Sequence, residues 1–388
     1  MRKAENSADI EKWLCLLNAH GVGPVVFGRL LKAFGSVDRI LGSSVRQLMS
    51  VEGVGSVKAE QIARERNKFD AVSELEQAAK AGVWLVHLAD ARYPGVLKQI
   101  YDPPPVLYVK GTLGVESNLG VAIVGCRRCS HYGMEQAGRF GHLLAAAGFT
   151  IVSGGARGID SAAHQGALAA KGRTIAVMGC GLSNVYPPEN KKLFEMISED
   201  GACISELPMS YEPLAENFPA RNRIIAGLSL GTIVVEASLR SGALITARVA
   251  LDYNREVLAI PGRVDSPVSK GPHKLLREGA RLVESIDDVV EALGYIGQQL
   301  KDHTEEKTSQ ASEKLETCLF DATELNLSES EKLIYEKLGI DAIHLDDLIE
   351  SLGIATGAIN AGVISLRLKG LIKQLPGNHF VKKPRKRA

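Results

Sequence analysis

Apolar positions change their period twice along this 388-residue chain. From about residue 8 to 75 they recur at helical spacing in short runs broken by glycine turns, which predicts a cluster of short helices. From about residue 82 the runs shorten to four or five aliphatic positions. Val83-Trp84-Leu85-Val86 and Val106-Leu107-Tyr108-Val109 read as strands, the second set up by Asp102-Pro103-Pro104-Pro105. Between Val121 and Val289 six more strand candidates alternate with helical stretches: 121–124, 150–152, 174–178, 202–205, 232–235 and 256–260. Strands spaced by helices predict an α/β fold with a doubly wound, mainly parallel sheet and right-handed crossovers, which binds ligands at the carboxyl ends of its strands.

Gly297 to Leu327 is polar and without period, as a linker would be. Helical spacing returns near 329–338, 345–351 and 356–369. Leu371–Leu375, a Pro376-Gly377-Asn378 turn and His379-Phe380-Val381 then complete a winged-helix pattern. The expected domains are therefore 8–80 (helical), 81–296 (a Rossmann-like domain), 297–327 (linker) and 328–388 (winged helix with the basic tail Lys382–Arg387).

Composition narrows the function classes. With 46 basic and 45 acidic residues the net charge is +1, so contact with nucleic acid has to come from local patches. No apolar run approaches the ~18 residues of a membrane span, and Met1–Asn6 is charged without an apolar core, which predicts a cytoplasmic protein. Six scattered cysteines include Cys126-Arg127-Arg128-Cys129, a lone CxxC without a second pair. That pattern predicts free thiols in a reducing compartment and no metal or other cofactor.

Two glycine turns in the helical region resemble one another, Gly21-Val22-Gly23-Pro24 and Val51-Glu52-Gly53-Val54-Gly55. Each precedes a helix in the manner of a helix-hairpin-helix (SAM-like) module, whose hairpin amides can meet phosphate without reading sequence. A compact bundle or a protein-docking module accounts for the same turns. The third helix of the winged-helix pattern carries only Arg367 and Lys369 as bases, beside Thr356, Asn360 and Ser365, so duplex contact and partner docking both stay open.

The candidate chemistry sits at four strand ends. Ser153-Gly154-Gly155-Ala156-Arg157-Gly158-Ile159-Asp160 leads from a strand into an Ala-rich helix, where converging backbone N–H groups and the helix dipole favour phosphate. The other ends are Gly125-Cys126-Arg127, Gly179-Cys180-Gly181 with Tyr186-Pro187-Pro188-Glu189-Asn190, and Ser205-Glu206 with Phe218-Pro219-Ala220-Arg221-Asn222-Arg223. Arg127, Arg221 and Arg223 supply guanidinium forks for phosphate, and Phe218 a face for a base. Arg221 and Arg223 lie two apart and diverge on a helix, so one of them can pair with Glu206 or Glu236 instead. Asp160 is placed to cap its helix, and His164 to pack that helix on the sheet.

The ordered succession VAIVGCRRCSHYG, SGGARGIDSAAHQGAL, AVMGCGLSNVYPPEN, ISELP, NFPARNRIIAGLS, VVEASLRSGALITA and EVLAIPG resembles the DNA-processing protein A family (DprA/Smf) over roughly residues 80 to 290. The resemblance implies a cytoplasmic protein of natural transformation that binds and protects incoming single-stranded DNA without sequence preference. It implies a homodimer formed through the Rossmann-like domain that helps load the RecA recombinase, with no catalytic residues. Its implied DNA-binding positions are Gly125, Arg127, Ser153, Gly154, Gly155, Gly158, Phe218, Arg221, Asn222 and Arg223. Cys126 and Cys129 replace small hydroxyl or variable residues, and His273 stands where the family has Asn.

Two other readings compete. The sheet also looks like that of lysine-decarboxylase-like phosphoribohydrolases, yet Thr246 falls where those enzymes need a Glu, which leaves base release without an acid/base group. The third reading is a scaffold that docks proteins through its end domains, its glycine loop vestigial.

Overall fold

The computed structural model describes residues 2–114, 117, 119–294, 329–338, 343–352, 359, 363, 366, 371–375 and 379–382. It divides into two compact units, 1–304 and 305–388.

The first unit opens with six helices, α1 (Arg2–Leu17), α2 (Pro24–Phe34), α3 (Val37–Leu41), α4 (Val45–Met49), α5 (Ser56–Glu65) and α6 (Ala71–Lys80). Local chemistry sets their ends. Pro24 starts α2 with its ring in the first turn, and Gly35 stops it at φ +79°. Ser44 and Gln47 form a reciprocal capping box on α4, and Asp70 accepts from Ser73 N at 3.0 Å to start α6. The short-helix reading of this region holds. Its buried Trp13, Leu14, Phe27, Leu30, Ile40, Leu48 and Ile62 form one core, which continues without a break into Val83, Leu85, Val106 and Tyr108 of the first two strands. Trp13 stacks on Phe27 at 5.0 Å and on His87 at 4.6 Å, and His87 Nε2 lies 3.1 Å from Asp9.

The sheet follows. Its strands are β1 (Val83–His87), β2 (Val106–Gly111), β3 (Gly120–Val124), β4 (Thr150–Ser153), β5 (Thr174–Val177), β6 (Ala202–Ser205), β7 (Ser229–Val234), β8 (Glu256–Ala259) and β9 (Arg281–Leu282), in the order β1-β2-β6-β5-β4-β3-β7-β8-β9. All eight strand candidates are present. β7 begins three residues before the expected Thr232, and the two-residue β9 is too short to show a period. β3 to β9 run parallel to their neighbours, whereas β1 and β2 add an antiparallel edge through β2–β6. The doubly wound, Rossmann-like expectation therefore holds.

Alternation splits the core between the two faces. Val121 and Ile123 pack with Phe140 and Leu144 of α8 (His131–Ala146) and Ala163 of α9 (Ile159–Ala169). Ala122 and Val124 face Ile224 and Ile225 of α11 (Asn217–Gly227) and Ala243 and Ala247 of α12 (Gly242–Asp252). In sequence α7 (Gly95–Lys98) precedes β2 and α10 (Lys191–Asp200) precedes β6; α13 (Lys270–Arg277) and α14 (Ile286–Ala292) follow β8 and β9. After β3 the winding runs through β4, β5 and β6 on one side, then reverses to β7 and β8 on the other. The crevice between the β3 and β7 ends is the topological switch point, where such sheets hold ligands.

The second unit holds α15 (Glu329–Lys337), β10 (Ile343–His344), α16 (Leu345–Leu352), β11 (Ile372–Leu375) and β12 (His379–Lys382), with β12 central in a three-stranded sheet. Ile359, Val363 and Leu366 are helical and buried against Ile334, Leu348 and Phe380, so the winged-helix class holds. The polar candidates Thr356, Asn360, Ser365, Arg367 and Lys369, the linker, the turn at 376–378 and the tail after Lys382 lie outside the described residues.

α8 and α9 pack through glycine and alanine, and a Cβ on Gly166 would lie 2.1 Å from the Gly138 carbonyl oxygen. Backbone cannot swing aside as a side chain can. Gly166→Ala is expected to cost about 1–3 kcal/mol, read as a lower urea midpoint with an unchanged m-value.

Candidate nucleic-acid interface

A cleft of about 580 Å³ opens at the switch point. Gly125, Cys126 and Arg127 after β3 form one wall, and Ser238, Ser241, Gly242 and Thr246 after β7 the other. Phe218, Arg221 and Asn222 of α11 and Asp160 of α9 lie between them.

The glycine loop after β4 owes its shape to close approaches. Gly158 has φ +77°, and a Cβ there would lie 2.6 Å from the Cys126 carbonyl oxygen. Only glycine combines that left-handed backbone with such contact. It brings the loop after β4 against the loop after β3. The backbone N–H groups of Arg157 and Gly158, just before α9, meet no acceptor among the described residues. Asn190, from the Tyr186–Asn190 loop, steadies the glycine loop by donating to Gly155 O at 2.9 Å and to Ser161 Oγ at 2.8 Å. Arg157 is clamped by Glu189. The result is a fixed loop with free donors at a helix N-terminus, an arrangement suited to phosphate.

Arg221 is 6% exposed. Its Nη1 donates to Gly154 O at 2.7 Å and also to Val177 O, tying α11 to the ends of β4 and β5. A Cβ on Gly154 would lie 2.4 Å from Arg221 Nη2 and 2.7 Å from Asp160 Oδ2, so the guanidinium and the carboxylate converge over that glycine. Burial pulls the Arg221 guanidinium down to about 10, with Asp160 opposing. Burial pushes the Asp160 carboxyl above its ordinary range, opposed by Arg221 and by backbone N–H groups of the loop.

Arg127 behaves differently. It is exposed, with its guanidinium 5.2 Å from the Phe218 ring centroid, and Phe218 in turn lies 5.3 Å from Tyr186. A cation and an aromatic face thus meet at the rim, over the glycine loop.

Gly125, Arg127, Phe218, Arg221 and Asn222 line the cleft, and Gly154 and Gly158 shape its loop. Gly155 turns at φ +64° against Phe194. Two of the expected residues face elsewhere. Ser153 donates its hydroxyl to Ile123 O at 2.6 Å, inside the sheet. Arg223 points to the other side of α11, where it pairs with Glu206 and lies 3.6 Å from Asp102, the divergence expected of residues two apart on a helix. Asp160 is not the helix cap. Gly158 holds that position, and Asp160, two residues on, accepts from Ala156 N at 3.3 Å. His273, in the Asn position, bonds Gly262 O at 3.0 Å through Nε2. Cys126 also lines the cleft, and burial pushes its thiol up to about 12. The roles of Asn190 and Glu189 lay unassigned in the sequence, because a loop residue's reach shows in no periodicity.

Comparison with known proteins gives three family matches. Residues 84–294 match DNA recombination-mediator protein A, residues 320–378 the DprA winged helix domain, and residues 15–68 a SAM-like helix-hairpin-helix tandem. The chain is 36% identical to Protein Smf of Synechocystis sp. over 95% of its own length and 97% of the relative's. It is 46% identical to DNA processing protein DprA of Streptococcus pneumoniae over 52% of its length and 72% of the relative's. The crystal structure of the Streptococcus pneumoniae DprA superimposes with a TM-score of 0.66 at 36% identity, covering 72% of this chain and 97% of that one.

One buried group under the cleft gives a pH signature. His164 is fully buried on α9, its Nδ1 2.7 Å from Thr174 Oγ1, which donates to Ile151 O. Burial, and after it Arg221, holds its imidazole down at about 3. Between the unfolded value of about 6.5 and that lowered value, the unfolded chain takes a proton that the native one refuses. Stability is therefore expected to fall as pH drops below 6.5, by up to about 1.4 kcal/mol per pH unit from this group. Urea midpoints from pH 7 to pH 4 measure the slope, which His164→Gln should flatten.

Proposed function

The chain belongs to the DNA recombination-mediator protein A family, and we propose that its cleft holds single-stranded DNA without sequence preference and without cleaving it. The observation that carries this reading is the Arg127 guanidinium on the Phe218 ring at the rim, above the free N–H groups of the glycine loop. A positive rim with an aromatic face suits a strand whose bases are unpaired, because stacking tolerates every base and needs a free base face. Phosphate contact supplies most of the affinity and none of the sequence preference.

In this reading the protein protects incoming strands during transformation, acts as a homodimer through the Rossmann-like domain, and helps load RecA. Support for these roles comes from the family and from the similarity to relatives whose names include DNA processing protein DprA. A holding role also suits the cleft's acid/base inventory. Asp160 is the one carboxyl among its lining residues, and it is engaged by Ala156 N–H beside Arg221. Thr246 stands in the wall where a phosphoribohydrolase would need its Glu.

Binding to fluorescent oligo-dT and oligo-dC of equal length tests the reading across a salt series. The wild-type chain should bind both alike and lose affinity as salt rises. Arg127→Ala should weaken both about ten-fold and lower the salt slope by about 0.7, one single-strand phosphate contact. Unchanged affinity in that variant would refute the cradle. Light scattering of the full chain during size-exclusion chromatography should give twice the 41.6 kDa chain mass, and a monomer would refute the dimer.

A further inference from the structure

The far wall of the cleft carries polar groups that a strand's backbone does not account for. Thr246 is 2% exposed and lines the cleft, and its hydroxyl has no partner among the described residues. Asn222 is 9% exposed. Its Nδ2 donates to Gly242 O at 3.3 Å, which fixes the amide's orientation and leaves Oδ1 as an unpartnered acceptor among the described residues. Ser241 Oγ accepts from Ala243 N at the start of α12, keeping its own proton available for a ligand. None of these three oxygens is shut away from the cleft as a buried atom without a partner, so each can be reached by a ligand that completes its hydrogen bonds.

These groups face the phosphate loop across a volume of about 580 Å³, within the range of roughly 300–1,000 Å³ typical of small-molecule sites. Its lining thus includes Arg127 beside Ala156 of the glycine loop, the Phe218 ring, and an acceptor and two hydroxyls on Asn222, Ser241 and Thr246. That sequence of chemistries matches phosphate, base or sugar face, and polar edge within a single small molecule. We propose that the cleft also binds free nucleoside 5′-monophosphates, which compete with single-stranded DNA. The proposal rests on the phosphate cradle described above and adds a soluble ligand to it. Nucleotides released by strand breakdown would then lower the protein's occupancy on DNA.

The full chain is tested with dTMP, thymidine and a labelled twenty-nucleotide oligo-dT. Calorimetry should give one dTMP per chain, and dTMP should displace the oligonucleotide completely. Thymidine, lacking the phosphate, should bind at least ten-fold more weakly. Thr246→Val, nearly isosteric, should weaken dTMP about five-fold, as expected for one lost hydrogen bond. Its melting temperature is measured alongside to confirm folding. If 5 mM dTMP neither binds nor displaces while oligo-dT binds normally, the inference is overturned and the strand reading stands. If dTMP binds and oligo-dT does not, the strand reading fails and the competition with it, while the nucleotide site stands. Equal binding of thymidine and dTMP, or an unchanged dTMP affinity in a folded Thr246→Val, would also overturn it.

Discussion

A buried cation organises the ligand end of this sheet. The Arg221 guanidinium is withdrawn from water, so it has to find acceptors inside the protein, and it takes them from the Gly154 and Val177 carbonyls. Three elements are pinned by that requirement: the end of β5, the loop after β4, and α11. Glycine at 154 follows, because any Cβ would run into the guanidinium. His164 is kept neutral first by burial and then by the Arg221 charge. Asn222, the next residue, is thereby set to donate to Gly242 O at the start of α12. Arg221 lines the cleft, yet its main bonds are to the protein's own backbone, so it acts first as a rivet and second as a source of charge.

Much of this was legible in the sequence, for definable reasons. Strands buried on both faces leave short apolar runs between helical stretches, and each of the eight such runs became a strand. The glycine loops could be read because close backbone approach leaves few alternatives to glycine. Residues that act across space were harder to see. Arg221 and Arg223 look equivalent in Phe218–Arg223, and only the helix's rotation sends one into the cleft and the other to Glu206. Asp160 resembles a cap by residue type, but the left-handed Gly158 already occupies the cap position. Asn190 reaches the glycine loop from another strand's connection, and spacing along the chain carries no trace of that distance.

Charge balance explains how a chain of net charge +1 can present a cationic rim. Arg92, Arg157, Arg223 and Arg263 are each matched by a carboxylate, on Asp90, Glu189, Glu206 and Asp265. Arg127 has no ion pair among the described residues, and its contact is an aromatic ring. Arg128 and several other arginines also lack an ion pair among the described residues, and Arg127 places such a charge where the loops converge. Local placement therefore matters more here than total charge.

The core that joins the N-terminal helices to β1 and β2 bears on how the chain is made. Val106 and Tyr108 belong to that core, yet Tyr108 pairs on its other side with Ser205 of β6, and Met209 packs into the same core. Synthesis delivers the helices and β2 long before β6 and Met209 emerge. During that interval β2 presents an open edge beside an unfinished apolar surface, the kind of exposure that invites aggregation. This early part of the chain is thus among the last to be sealed, because its core waits for β6 and Met209.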